Sequence, residues 1–158
     1  MSNIKCDKKT CIGCLACVYA CKDAHKNDSY DDSYEHAVSR RSYEKVTAKD
    51  TGVISYKTKS CMHCKKAKCM EVCPAEVIYR DEYDFVQIRY YDCLGCHACE
   101  EACPFGAITF AEGKDMPIVH DGYPFKCDGC ADRLREGLEP ACVSVCPVHA
   151  LSLASTVK

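Results

Sequence analysis

The cysteines of this 158-residue chain form four groups of four, and this arrangement constrains its fold more than any other feature. Sixteen of the seventeen cysteines belong to these groups, which we number in chain order. Groups 1 and 3 have the spacing C-x2-C-x2-C-x3-C, and a proline directly follows the last cysteine of groups 2, 3 and 4. The members are Cys11, Cys14, Cys17 and Cys21 (group 1); Cys61, Cys64, Cys69 and Cys73 (group 2); Cys93, Cys96, Cys99 and Cys103 (group 3); and Cys127, Cys130, Cys142 and Cys146 (group 4).

The spacing within a group is typical of ligands for cubane 4Fe-4S clusters. Two thiolates three residues apart converge on one inorganic core from a tight loop, and a third cysteine three residues later reaches another iron of that core. The fourth cysteine lies one helical turn further on and binds the neighbouring cluster in two-cluster ferredoxins. We therefore expect the groups to act in pairs and to hold four 4Fe-4S clusters, with all sixteen cysteines as iron ligands.

Two other uses of cysteine compete with this interpretation. A disulfide scaffold needs an oxidising compartment, and dense C-x2-C runs in a chain without a signal peptide argue against one. Zinc also binds C-x2-C pairs, but it needs only two pairs per ion and leaves the third and fourth cysteines of a C-x2-C-x2-C-x3-C-P run without a role. Cys6 belongs to no group, and we interpret it as a small buried hydrophobe on the first strand.

The composition fits a protein that depends on its metal. Without the cysteines the aliphatic core is thin, so metal ligation should supply much of the folding free energy, and we expect the apo-chain not to hold its fold. The formal charge of -2 counts cysteines as neutral. Because an oxidised cluster with four thiolates carries about -2, the holo-protein has a charge of about -10, which disfavours nucleic acid as a partner. No apolar run reaches the length of about 20 residues that spans a bilayer.

Local patterns predict an α+β fold of short hairpins and short helices around the clusters. Alternating residues predict one hairpin from strands 77–80 and 85–88, and another from strands 43–46 and 53–56. Short helices should follow the third cysteine of each group. The best single helix candidate covers 128–138, where Leu134 and Leu138 lie four residues apart.

The order of the groups predicts two modules. Groups 2 and 3 flank the 77–88 hairpin and make one compact ferredoxin-like unit, the inner two-cluster module of residues 58–111. Groups 1 and 4 then have only each other as partners. We therefore predict a discontinuous outer two-cluster module, residues 1–57 plus 112–158, into which the inner module is inserted.

With these motifs in view, the chain resembles the four-cluster ferredoxin subunits of molybdenum and tungsten pterin oxidoreductases. That family is typified by the iron–sulfur subunit of dimethyl sulfoxide reductase, with relatives in formate dehydrogenases, polysulfide reductases and tungsten aldehyde oxidoreductase complexes. The long gap between the second and third cysteines of group 4 is typical of the family and is absent from simple two-cluster ferredoxins. The matching segments are CIGCLACVYACK (11–22), CMHCKKAKCMEVCP (61–74), CLGCHACEEACPFGA (93–107) and KCDGCADRLREGLEPACVSVCP (126–147).

The resemblance implies how the cysteines are shared between clusters. Each cluster takes the first three cysteines of one group and the last cysteine of its partner group, and the four clusters lie in a row. We call the implied ligand sets A to D. They are Cys11, Cys14, Cys17 and Cys146 (A); Cys127, Cys130, Cys142 and Cys21 (B); Cys61, Cys64, Cys69 and Cys103 (C); and Cys93, Cys96, Cys99 and Cys73 (D).

A few residues depart from the family pattern or are ambiguous. Many relatives have proline at Ala67 and Thr-Gly in place of Ala75-Glu76, so the group 2 loops are expected to differ in backbone shape. His63 and His97 lie inside the motifs but are not needed as ligands, because each set already has four cysteines. Lys126 precedes Cys127 and either raises the potential of that cluster or is an ordinary solvated lysine.

The chemistry present indicates electron transfer. The sequence has no nucleotide-binding glycine loop, no nucleophile with its base and no open-site metal motif, so we predict no catalytic residue and no catalysis by this chain alone. The resemblance implies an electron-transfer subunit that relays single electrons between a large molybdenum- or tungsten-pterin catalytic subunit and a flavin, hydrogenase or ferredoxin-linked carrier.

Two alternatives to this function stay open. A freely diffusing polyferredoxin would serve several oxidoreductases in turn, whereas a zinc-dependent interaction module would carry no electrons.

The chain is shorter than most of the family, which favours a complex that is not membrane-bound. We expect it in the cytoplasm, or exported together with a partner that bears a signal.

Overall fold

The computed structural model describes residues 2–25, 39–48, 51–110 and 124–154, which form short strands and short helices. In this part of the chain the strands are β1 (Asn3–Cys6), β2 (Ser42–Thr47), β3 (Ile54–Lys59), β4 (Ile78–Arg80), β5 (Val86–Ile88), β6 (Thr109–Phe110), β7 (Pro124–Phe125) and β8 (Leu151–Ala154). The helices are α1 (Ala16–Ala24), α2 (Lys68–Glu71), α3 (Ala98–Glu101), α4 (Ala131–Arg135) and α5 (Ala141–Ser144). The predicted mixture of helices and short antiparallel hairpins is confirmed.

The strands pair as antiparallel ribbons of two: β1 with β8, β2 with β3, β4 with β5, and β6 with β7. The β1–β8 register runs from Asn3 opposite Ala154 to Cys6 opposite Leu151. This ribbon joins segments from opposite ends of the sequence, and it brings group 1 next to group 4. Helices pack in the same pattern, because α1 lies against α5 and α2 lies against α3.

Both predicted hairpins are present. In the β4–β5 hairpin, the Asp81 carboxylate accepts hydrogen bonds from the backbone N–H groups of Tyr83 and Phe85, both at 2.9 Å. This side chain replaces a backbone partner in the turn, which explains why a polar 81–84 segment reverses the chain. In the β2–β3 hairpin the register places Tyr43 opposite Thr58, and residues 49–50 of its predicted turn lie outside the described residues.

The helices differ in detail from the prediction. Those that hold third cysteines begin one residue before the cysteine rather than after it, so Cys17, Cys69, Cys99 and Cys142 lie in the first turns of α1, α2, α3 and α5. The predicted 128–138 helix is wrong in length, since α4 covers five residues. Its limits have a backbone cause: Cys130 before it and Gly137 after it have left-handed φ angles of 53° and 75°.

The buried residues form two small cores. Five of the eight residues in the first are cysteines, and Ile4, Ala150 and Leu151 are the others. The second is mainly aliphatic, with Val77, Ile78, Val86, Ile88 and Ile108 among its eight members. Cys6 lies on β1 as predicted, but it is only half-buried. No helix in the described part of the chain has the length and apolar character to cross a bilayer.

Candidate iron–sulfur centres

The C-x-x-C loops of all four groups share one backbone feature. The residue two places after the first cysteine has a left-handed φ angle in every case: 71° at Gly13, 46° at His63, 65° at Gly95 and 74° at Gly129. Glycine adopts this conformation without strain, which explains its presence at three of these places. The left-handed turn directs the backbone N–H of this residue back towards the sulfur of the first cysteine.

Backbone N–H groups donate to the cysteine sulfurs at two recurring places. At the first cysteine, His63, Gly95 and Gly129 donate to the Sγ atoms of Cys61, Cys93 and Cys127, each at 3.4 Å. At the fourth cysteine, after the Cys-Pro step, Ala107 donates to Cys103 at 3.3 Å and Ala150 donates to Cys146 at 3.2 Å. Donors aimed at sulfur stabilise its anionic form, so these loops are preorganised for thiolates.

Two cavities are each lined by four cysteines. One is lined by Cys73, Cys93, Cys96 and Cys99, the residues of predicted set D. The other is lined by Cys11, Cys14, Cys17 and Cys146, the residues of predicted set A. Each cavity thus combines the first three cysteines of one group with the last cysteine of another group.

The members of the other two sets also lie near one another. In set B the Cys130 thiol interacts electrostatically with Cys127 and Cys142, and Cys142 interacts with Cys21. In set C the same kind of interaction joins Cys69 to Cys61 and Cys103. Cys64 lies on the loop of Cys61, and its carbonyl accepts a hydrogen bond from Arg80. The ligand assignment itself stays a prediction.

The thiols are poor acids in this environment unless a cation compensates for their burial. Burial raises the pKa of Cys127 and of Cys130 to about 12, and that of Cys17 and of Cys99 to about 11. A metal ion deprotonates a coordinating thiol outright. Four sulfurs around one cavity, with backbone N–H donors to the sulfurs, are a soft donor set that fits a 4Fe-4S cluster.

Neighbouring sets meet through their third cysteines. Cys17 of set A interacts with Cys142 of set B, and Cys69 of set C interacts with Cys99 of set D. These cysteines lie in the first turns of α1, α5, α2 and α3, so each packed helix pair brings two sets together. The arrangement suits electron hopping between adjacent clusters.

Comparison with known proteins agrees with this chemistry. The 4Fe-4S dicluster domain pattern matches residues 52–156, and a second 4Fe-4S dicluster pattern matches residues 10–77. The chain belongs to the 4Fe-4S dicluster family. This dicluster protein therefore carries four 4Fe-4S clusters and transfers electrons without being catalytic itself, as predicted, and the iron–sulfur interpretation is confirmed over zinc and disulfides.

Its relatives include subunits of several reductases. A subunit of the anaerobic dimethyl sulfoxide reductase of Escherichia coli K12 is 38% identical over 154 residues, which cover 92% of this chain and 69% of the relative. The thiosulfate reductase electron transfer subunit of Salmonella typhi is 40% identical over 146 residues, covering 92% and 71%. A subunit of the polysulfide reductase of Wolinella succinogenes is 36% identical over 147 residues, covering 92% and 72%. The predicted family resemblance is confirmed.

A buried arginine that sequence reasoning missed lies among the cysteines of sets A and B. Arg41 is 3% exposed and donates hydrogen bonds to Thr58 Oγ1 at 2.9 Å and to Ser60 Oγ at 3.0 Å. Burial acts to lower the pKa of Arg41, but nearby cysteines, Cys142 first among them, raise it above its ordinary value. Arg41 is therefore a fixed positive charge beside two clusters of the dicluster protein. Its sequence context, a polar Ser-Arg-Arg-Ser stretch, gave no signal of this burial.

A second network that the sequence did not indicate lies beside Cys21 and Cys130. The Asp128 carboxylate contacts Arg40 Nη1 at 2.8 Å and His25 Nε2 at 3.2 Å. The other ring nitrogen, His25 Nδ1, lies 2.7 Å from the carbonyl oxygen of Cys21. Burial alone would raise the pKa of Asp128, but the His25 hydrogen bond and the Arg40 charge hold it well below its usual range.

The ambiguous residues of the motifs are now placed. His63 is fully buried, its Nδ1 accepts the Val86 N–H at 3.0 Å, and burial together with the Lys126 charge lowers its pKa to about 3. His97 is partly exposed and its Nδ1 lies 2.8 Å from Glu100 Oε2. Lys126 is 2% exposed, so the interpretation of a solvated lysine is wrong.

Proposed function

We propose that this chain is the electron-transfer subunit of a molybdenum- or tungsten-pterin oxidoreductase complex. It relays single electrons through its four clusters between the pterin-containing catalytic subunit and another redox carrier. The relatives named above are subunits of dimethyl sulfoxide, thiosulfate and polysulfide reductases, and this supports a role as a dedicated subunit. The freely diffusing polyferredoxin is not favoured, because the relatives are parts of such reductases.

The observation that carries the proposal is the pattern of cysteine exposure along the sets. Cys14 in set A and Cys96 in set D are exposed, whereas all four cysteines of set B are buried and those of set C are buried or half-buried. Electrons would therefore enter and leave at sets A and D, with sets B and C as interior relays. This exposure pattern suits a subunit that contacts one redox partner at each end.

We propose sets A to D as the ligand sets, and the nested modules, 58–111 within 1–57 plus 112–158, as the organisation that creates them. Support comes from the two cavities of four cysteines and from the pairing of α1 with α5 and of α2 with α3. The β1–β8 ribbon adds support, because it holds the two parts of the outer module together. We further propose a cytoplasmic location.

Anoxic purification of the tagged chain from its native host tests this function. We expect a stable complex with a large chain that contains molybdenum or tungsten, and about sixteen irons and sixteen acid-labile sulfides per copy of this chain. Mass spectrometry of the metals distinguishes molybdenum from tungsten. Isolation as a monomer with full iron would favour the diffusible polyferredoxin, and zinc in place of iron would contradict the electron-transfer role.

A further inference from the structure

Lys126 is a buried cation that connects the group 4 loop to the central hairpin. Its Nζ atom donates hydrogen bonds to the carbonyl of Val86 on β5 and, at 2.9 Å, to the carbonyl of Cys127. Val86 also donates its N–H to His63 Nδ1 in the group 2 loop. The ammonium group of Lys126 therefore lies where segments of groups 2 and 4 meet.

This ammonium forms no ion pair with a carboxylate of the described residues. None of the ion pairs in that part of the chain includes Lys126. The two carbonyls satisfy hydrogen-bond donors, but they do not neutralise a charge, and a buried unpaired charge is costly. Lys126 directly precedes Cys127 of set B, whose carbonyl accepts its hydrogen bond. Val86, which accepts the other hydrogen bond, contacts His63, and the backbone N–H of His63 donates to Cys61 of set C. The cluster ligands next to this ammonium therefore belong to set B and to set C.

We infer that Lys126 is a positioning residue for electron transfer between the two modules, its ammonium raising the reduction potentials of the clusters held by sets B and C. The inference rests on the ligand sets proposed above. Reduction adds one electron to a cluster and neither makes nor breaks a bond, so a nearby positive charge stabilises the reduced form. The effect is large inside the protein, because the low dielectric constant leaves the charge weakly screened.

The chain offers a matched set of variants. Lys126→Met removes the charge and keeps an unbranched side chain, Lys126→Gln removes the charge but keeps a hydrogen-bond donor, and Lys126→Arg keeps the charge. Lys68→Met is the control, because Lys68 is exposed and directly precedes Cys69 of set C. The measurement is an anoxic redox titration of the purified holo-protein, followed by electron paramagnetic resonance.

We expect two of the four couples to move in Lys126→Met and Lys126→Gln, each with its reduction equilibrium constant lowered about tenfold, or about 59 mV for one electron. Lys126→Arg should keep the wild-type potentials. Lys68→Met should change each constant by less than about twofold, because water and salt screen an exposed charge.

The outcomes separate this inference from the proposed function. If all four clusters assemble in Lys126→Gln with unchanged reduction potentials and only the free energy of unfolding falls, Lys126 stabilises the fold without tuning the clusters. That result overturns the inference. If Lys126→Met does not assemble its clusters, the reduction potentials of Lys126→Gln are compared with those of Lys126→Arg. Equal potentials in these two variants overturn the inference. A wild-type protein without iron would instead overturn the proposed function, and this inference with it.

Discussion

The ring of Phe85 lies directly against the α-carbon of Gly129. A Cβ added to Gly129 would be 2.5 Å from the ring carbons Cδ2 and Cε2, which is closer than real Cβ atoms approach. Phe85 is fully buried just before β5 in the central hairpin, and Gly129 lies in the C-x-x-C loop of group 4. This contact therefore joins the region of groups 2 and 3 to the loop that carries Cys127 and Cys130.

Gly129→Ala should destabilise the holo-protein by more than about 3 kcal/mol, because overpacking against Phe85 adds to the cost of the left-handed backbone. Gly137→Ala is the matched control. Its φ of 75° is almost the same as the 74° of Gly129, but nothing lies within 4 Å of its added Cβ, so it should lose only about 1 to 2 kcal/mol. Anoxic urea unfolding of both variants measures the difference. Equal losses of unfolding free energy in the two variants would mean that the contact with Phe85 adds nothing to the cost of Gly129→Ala.

The sequence predicted the parts of this structure that depend on local chemistry. Cysteine spacing indicated the metal, and the polar 81–84 turn indicated the hairpin, because both signals lie within a few neighbouring residues. Arg41 and the pair formed by His25 and Asp128 were not predictable. The residues of that pair are separated by 103 positions, and only the packed structure brings them together. Lys126 was ambiguous for the same reason, since its burial depends on the distant Val86.

Serine substitutions test how cysteines are shared between groups. Cys146→Ser should remove or alter the cluster of set A, and adding Cys14→Ser should cause no further cluster loss because both residues belong to that set. Combining Cys146→Ser with Cys130→Ser should instead affect two clusters. Spin counting by electron paramagnetic resonance, with iron analysis, distinguishes these results. The proposed sharing would be contradicted if the double variant with Cys130→Ser affected one cluster and the double variant with Cys14→Ser affected two.

The seventeenth cysteine provides the control for these substitutions. Cys6 lies close enough to Cys11 to interact with its thiol, yet it belongs to no set. Cys6→Ser should retain all four clusters and the wild-type iron content. Loss of a cluster in this variant would mean that the ligand sets need revision near the N-terminus.

Stability should fall as the pH rises above neutrality, because of His25. Burial alone would lower the pKa of His25, but its contacts with Asp128 and Cys21 raise it to about 10. In the unfolded chain the value is about 6.5, so protonated His25 contributes its full stabilisation below that pH and loses it as the pH rises to about 10.

The His25 effect is measurable as the pH dependence of the urea midpoint of the holo-protein between pH 7 and pH 10. His25→Gln should flatten this dependence, because glutamine keeps a donor for Asp128 but does not titrate. His97→Gln is the control, since His97 is partly exposed and pairs with Glu100 on the surface. An unchanged slope in His25→Gln would show that the alkaline loss of stability has another source.

Removal of iron should unfold the two cores unequally. Cysteines make up five of the eight residues in the core that includes Ile4 and Leu151, and their packing depends on the clusters they hold. The second core contains two cysteines among its eight residues, and its aliphatic side chains remain apolar without metal.

As a chelator removes iron under anoxic conditions, amides of the β1–β8 ribbon should therefore lose hydrogen-exchange protection before those of the β4–β5 hairpin. The fully metal-free chain should keep neither, because a two-stranded hairpin with a small core is marginal on its own. Hydrogen exchange followed by mass spectrometry resolves the two regions. If both ribbons stay protected in the apo-chain, the apolar residues alone are sufficient for the fold and the clusters contribute only redox chemistry.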